Sequence, residues 1–229
     1  MSQRFKKQLT KSPKTLMLKV PSREIMNGFT IIELLIATTI FSLVLLGALA
    51  GFLRAGNLFY KGVSLTQTQG VAKQVMDDVS ANIANSSGVN IGSGNGYNYY
   101  CIGNTRYTYR LNVPYLTASP VDYSHTGNFG LLRDTVSGCP VPCVTGCAAP
   151  LSFFTSTEML GDNMRLAQFS VAATSGSKLY TVNVAVAYGD NGSLNLSNPA
   201  NPTCNGSTET EQFCAVSVLS TSVYAGISI

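Results

Sequence analysis

The sequence predicts an α+β chain: a long N-terminal helix, membrane-spanning in its first half, packed on an antiparallel β-sheet head. Three observations carry this reading. Residues 34–53 are twenty consecutive positions without a charge, about 30 Å of helix at ~1.5 Å per residue, the thickness of a bilayer's hydrocarbon core. Beyond Arg54, Val71, Val75, Val79 and Ile83 recur every four residues with Ala72 and Met76 beside them, a helical apolar stripe suited to packing on a sheet. Further on, short β-branched and aromatic runs are separated by Gly, Asn, Ser and Pro, the pattern of strands and turns. A helix followed by antiparallel strands is an α+β arrangement.

Taken in order, residues 1–27 are polar and basic, interrupted by Pro13 and Pro21, and lack apolar periodicity. We read 1–28 as a leader, 29–53 as a transmembrane segment, 54–87 as its amphipathic continuation and 88–229 as the head. One helix is expected over 29–87, since no proline follows Pro21 until Pro114. Gly56, Gly62 and Gly70 each cost about 1 kcal/mol against Ala in a helix interior, so a bend or break is expected there. Asp77 and Asp78 fall off the stripe and are expected in solvent. The stretch 86–100 is rich in Gly, Asn and Ser and reads as loop. Strands are expected over 106–113, 128–133 (pairing with it) and 151–155. The strongest pair is 164–173 and 178–188, a hairpin through Thr174-Ser-Gly-Ser177. In its second strand Tyr180, Val182, Val184, Val186 and Tyr188 share one face, with Thr181, Asn183, Ala185 and Ala187 on the other. A polar loop over 189–212 and a last strand over 213–224 close the chain.

The entrance to the apolar run is the most specific feature. A basic segment with Arg4, Lys6, Lys7, Lys11, Lys14, Lys19 and Arg23 leads to Gly28-Phe29-Thr30-Ile31-Ile32-Glu33, and then to the uncharged twenty-mer. This resembles the processing and assembly signal of type IV pilins and the type II secretion pseudopilins. The resemblance is sharp from about Asn27 to Leu53 and only architectural beyond. It implies cleavage after Gly28 by a prepilin peptidase, N-methylation of Phe29, and a part for Glu33 in filament assembly through the amine of a neighbouring subunit. A secretory signal is the simpler alternative, but its apolar region runs only ~7–15 residues and it leaves Glu33 unexplained. An ionisable group in a membrane helix is costly and points to function.

Charge follows the same division. The segment before Phe29 carries seven of the fifteen basic residues and one of the eleven acids, leaving eight against ten, or −2, from Phe29 onward. The basic pI is therefore no argument for nucleic acid. Lys and Arg at a transmembrane end favour the cytoplasmic side, so the head is expected outside a single-pass inner membrane, and later on an extracellular pilus. Many major pilins carry a helix-breaking proline about where Ala50 stands here. Gly47-x-x-x-Gly51 matches a membrane helix-packing motif, although Gly is common in such helices anyway.

Six cysteines, Cys101, Cys139, Cys143, Cys147, Cys204 and Cys214, all lie in the head. An even number in an exported domain reads as disulfides, with Cys204–Cys214 one local bridge and the other pairings open. A zinc site is the rival, but the single His125 lies fourteen residues before Cys139. Tyr97, Tyr99, Tyr100, Tyr107, Tyr109, Tyr115 and Tyr123 cluster around Arg106 and Arg110. They read either as strand and loop anchors or as a ligand surface at Arg106, Tyr107, Tyr109 and Arg110 that stacks on a sugar or nucleic acid. No catalytic residue, metal or cofactor is expected: Gly92-x-Gly94-x-Gly96 follows no predicted strand and opens no helix. Asn-x-Ser sequons at Asn85, Asn191, Asn195 and Asn205 are unsurprising in so Asn- and Ser-rich a chain. The resemblance thus implies a minor pilin whose partners are homologous pilins, the prepilin peptidase and the membrane assembly platform. The alternatives are a minor pseudopilin of a type II secretion system, a tip adhesin or DNA-uptake receptor, and a plain anchored ectodomain.

Overall fold

The computed structural model describes residues 29–117, 123, 127–147, 150–152, 154–205 and 213–226. Gly28, the rest of 1–28 and His125 lie outside the described residues. The chain forms two compact units that meet between Ala48 and Leu49. The first contains the opening of helix α1 (Ile31–Ala84); the second contains everything after it.

Helix α1 runs for 54 residues without interruption. Its glycines do not break it, so the expected break is corrected: single glycines weaken a helix without stopping one that is proline-free on both sides. The opening is apolar all round, with Leu34, Leu35, Phe41, Leu46 and Phe52 all exposed. Farther on the helix becomes one-sided, burying Thr68, Ala72, Val75, Met76, Val79 and Ile83. Val71 sits at the margin of that stripe. The stripe packs into one core with Tyr100, Ile102, Tyr107 and Leu131, and with Leu166, Phe169, Val171, Val182, Val184 and Val186.

Those partners belong to two antiparallel sheets. The first is a five-stranded meander in chain order: β1 (Val89–Gly94), β2 (Tyr97–Ile102), β3 (Thr105–Tyr109), β4 (Leu131–Thr135) and β5 (Ser156–Glu158). The stretch 86–100, expected as loop, thus holds β1, the turn and the first part of β2, most of a hairpin. Its turn is Asn95-Gly96, with φ of 52° and 84°, between the paired Gly94 and Tyr97. Two consecutive positive φ values are what a two-residue hairpin turn requires, and Asn-Gly supplies them. Nor is there a strand among the described residues of 151–155: the N–H groups of Thr155 and Ser156 donate to the Ser152 carbonyl, and pairing starts at Ser156.

The second sheet has the order β10–β7–β6, from β6 (Met164–Ala173), β7 (Leu179–Tyr188) and β10 (Ala215–Tyr224). The predicted hairpin is present, with a bulge between Leu166 and Gln168. The predicted alternation of β7 holds, with Val182, Val184 and Val186 in the main core, but the strand is not amphipathic, because Ala185 and Ala187 on the other face are also fully buried. The supposed loop 189–212 contains a two-stranded ribbon, β8 (Leu194–Asn195) with β9 (Thr203–Cys204). Leu194, Leu196, Cys204 and Cys214 pack on Ala187 and cover that face.

The cysteines pair as Cys101–Cys139, Cys143–Cys147 and Cys204–Cys214. Their sequence separations of 38, 4 and 10 set an order of importance, because a cross-link restricts the unfolded chain more when it closes a longer loop. Paired Cys→Ser replacement is expected to cost about 4 kcal/mol for Cys101–Cys139, about 3 for Cys204–Cys214 and about 2 for Cys143–Cys147. Urea unfolding of the three double variants checks the order.

Glu158 fastens the first sheet internally. Its carboxylate accepts from the backbone N–H groups of Gly130 (2.9 Å), Leu131 (2.8 Å) and Leu160 (3.1 Å). Burial pushes this carboxyl up, against the pull of those N–H donors. Glu158→Ala leaves three donors to find other partners and is expected to cost about 2–3 kcal/mol, read as a lower denaturation midpoint.

Candidate functional site

The entrance to α1 is built from local chemistry. Thr30 caps the helix: its carbonyl accepts from the N–H of Glu33 (3.1 Å) and of Leu34 (3.2 Å), and its hydroxyl lies 3.3 Å from the Glu33 nitrogen. Thr30-x-x-Glu33 has the spacing of a capping box, a signal in the sequence that the functional reading of Glu33 overlooked. Glu33 sits in the first turn, where the helix dipole favours a negative charge. Phe29 is 79 % exposed and precedes the helix, so Glu33 lies about one turn beyond the residue that cleavage after Gly28 would free.

The polar residues of the apolar run satisfy themselves. Thr38 donates to the Leu35 carbonyl (3.0 Å), Thr39 to Ile36 (2.8 Å) and Ser42 to Thr38 (2.8 Å). Each hydroxyl is thus bonded inside the helix, as a hydrocarbon surrounding demands. Among the described residues α1 is the one helix long and apolar enough to cross a membrane. A side chain at Gly47 or Gly51 would meet nothing within 4 Å, so both positions are open to a neighbouring helix.

Of the other candidate, the surface at Arg106, Tyr107, Tyr109 and Arg110, the first two members are corrected, while Tyr109 and Arg110 are half-buried. Arg106 and Tyr107 are fully buried. The Arg106 guanidinium donates to both carboxylate oxygens of Asp134, at 3.1 and 2.5 Å, and to the Pro140 carbonyl at 2.8 Å. Tyr107 donates to Asp78 at 2.5 Å and accepts from Asn82 at 2.8 Å. Asp78, expected in solvent, also pairs with Arg133 at 3.1 Å and so ties the helix to the sheet. Burial and the Asp78 carboxylate raise the Tyr107 phenol far above its ordinary value, so it stays a donor. Tyr109 stacks on Tyr100 at 5.4 Å and meets Phe169 edge-on. Half-buried Arg110 lies over the Phe129 ring at 5.7 Å and donates to the Gly127 carbonyl. The aromatic cluster is core. Tyr107→Phe is expected to lower stability by about 1–2 kcal/mol, measured as the shift in the urea midpoint.

Residues 26–49 match the family model described as the prokaryotic N-terminal methylation motif. The chain carries the N-terminal signature of the type IV pilin-like family. The match spans the capped helix start, Phe29, Glu33 and most of the apolar run, and the α+β fold is pilin-like. No curated protein and no solved structure matches the chain. The motif points to a pilin- or pseudopilin-type precursor, to processing by a prepilin peptidase, to membrane anchoring and to a structural rather than enzymatic part. All six cysteines are disulfide-bonded, and no group of three or more His, Cys, Asp or Glu among the described residues is placed to hold a metal.

Proposed function

We propose that the chain is a minor pilin, a structural subunit that initiates, caps or decorates a type IV pilus. The observation that carries this reading is Glu33, a single carboxylate one turn beyond Phe29 at the capped start of a helix apolar on every side. A prepilin peptidase cuts after Gly28 and Phe29 is methylated. Before assembly the subunit crosses the inner membrane once, with its head outside; assembly then draws it into an extracellular fibre. In the fibre the apolar helices pack with little directional preference, and the carboxylate of one subunit meets the amine of the next, setting the axial register. Burying that charge is tolerable only with such a partner.

Three features favour a minor rather than a major subunit: Ala50 in place of a helix-breaking proline, a helix that continues through that point, and a head with three disulfides. The N-terminal mass of protein recovered from cells and from sheared surface fibres tests the proposal. Chains beginning at N-methylated Phe29 in both fractions are expected. An intact Met1 start, with nothing in the fibres, would overturn it and leave an anchored ectodomain.

A further inference from the structure

The head contains two buried arginines that are treated very differently. Arg106 has a carboxylate across its fork. Arg165, only 2 % exposed, has none within ion-pair distance among the described residues. Met164 and Leu166 turn into the core, so the alternation along β6 puts Arg165 on the opposite face of the second sheet. There its guanidinium donates to the Gly189 carbonyl (2.6 Å) and to the side-chain oxygen of Asn191 (2.5 Å), while its buried Nε has no hydrogen-bond partner. Both acceptors are neutral, and Asn191 is an exposed residue. A buried cation is normally paired, and burial accordingly depresses the Arg165 pKa, with Asp190 opposing the shift from a distance.

Arg165 lines an open cleft of about 450 Å3, together with Asn163, Tyr188, Asp190, Asn191 and Phe213, within the ~300–1,000 Å3 range of small-molecule sites. Its wall is held in place by backbone. Gly189 has φ of 130°, and a side chain there would lie 2.7 Å from the Ser193 hydroxyl and 3.0 Å from the Phe213 carbonyl. The cleft therefore offers an under-neutralised guanidinium, planar amide and carboxylate groups able to bond vicinal hydroxyls, and the half-exposed ring of Phe213. The Asp190 charge disfavours a dianion such as phosphate.

We propose that this cleft binds a sugar bearing one carboxylate, a hexuronate. Its carboxylate replaces the Asn191 amide oxygen against Arg165, exchanging a neutral acceptor for a charge-assisted pair. Its hydroxyls bond Asn163 and Asp190, and its ring packs on Phe213. The site belongs to the head alone and does not depend on filament assembly.

Calorimetric titration of the full-length chain in detergent with D-glucuronate, D-glucose and acetate tests the proposal. Saturable glucuronate binding is expected, with glucose and acetate at least tenfold weaker. Phe213→Ala, at the rim, is expected to weaken glucuronate about tenfold with the melting temperature unchanged. Asn191→Asp supplies Arg165 with an internal carboxylate and is expected to raise the melting temperature while abolishing binding. A purely structural Arg165 predicts the same thermal shift with no binding to lose. No saturable response to glucuronate, acetate equal to glucuronate, or binding indifferent to both variants would each overturn the assignment.

Discussion

Asp134→Ala is expected to destabilise the head by about 3–5 kcal/mol, the cost of leaving one charge of a buried pair uncompensated. The Arg106 and Asp134 side chains are 0 % and 2 % exposed, so water cannot take over the lost partner. Burial lifts the Asp134 carboxyl above its ordinary range, and the Arg106 guanidinium pulls it back: desolvation is large here and the ion pair offsets it. For a chain of this size each kcal/mol moves the melting temperature by about 2–4 °C, so a fall of roughly 6–20 °C is expected in the oxidised protein. The double variant Arg106→Met with Asp134→Leu removes both charges and is expected to recover much of that loss, since apolar pairs often replace buried ion pairs without penalty. A double variant as unstable as the single one would show that the site depends on shape rather than charge. The pair also sits beside a disulfide, because Arg106 bonds the carbonyl of Pro140, the neighbour of Cys139.

Glu33→Ala is expected to leave processing intact while reducing the chain in sheared fibres at least tenfold. On the proposed reading, cleavage after Gly28 would need only the entrance of the helix, whereas register between subunits would need the charge. The capping geometry supplies the control. Thr30→Ala removes the hydroxyl cap, worth about 1 kcal/mol at a helix start, and keeps the carboxylate; it is expected to incorporate normally. Quantifying mature chain in membranes and in fibres for both variants separates the roles. Normal incorporation of Glu33→Ala would reduce Glu33 to a capping residue.

The parts legible in the sequence were those governed by short-range periodicity. The apolar run, the stripe at Ala72, Val75, Met76, Val79 and Ile83, and the hairpin of β6 with β7 all follow from spacing alone. The hairpin of β1 with β2 was hidden by its composition. Its glycines read as loop, although Gly92 leaves room for the ring of Tyr99, which would lie 2.2 Å from any added Cβ. Asn95-Gly96 marked the turn. Burial of Arg106 and Tyr107 was not legible, because it depends on Asp134 and Asp78, which lie 28 and 29 residues away.

The sequence by itself determined the helix, its apolar opening and the methylation motif over residues 26–49. Each rests on contacts within a few residues or on transfer between water and lipid, which composition and spacing record directly. The local bridge Cys204–Cys214 followed from the sequence, whereas tertiary structure alone decided how the other four cysteines pair and which polar groups are taken out of water. It also decided that one buried arginine is neutralised by its own chain while the other faces an open cleft. Such choices depend on strands meeting across the sheets and on the covering of one sheet face by Leu194, Leu196, Cys204 and Cys214, and no local pattern in the chain encodes them.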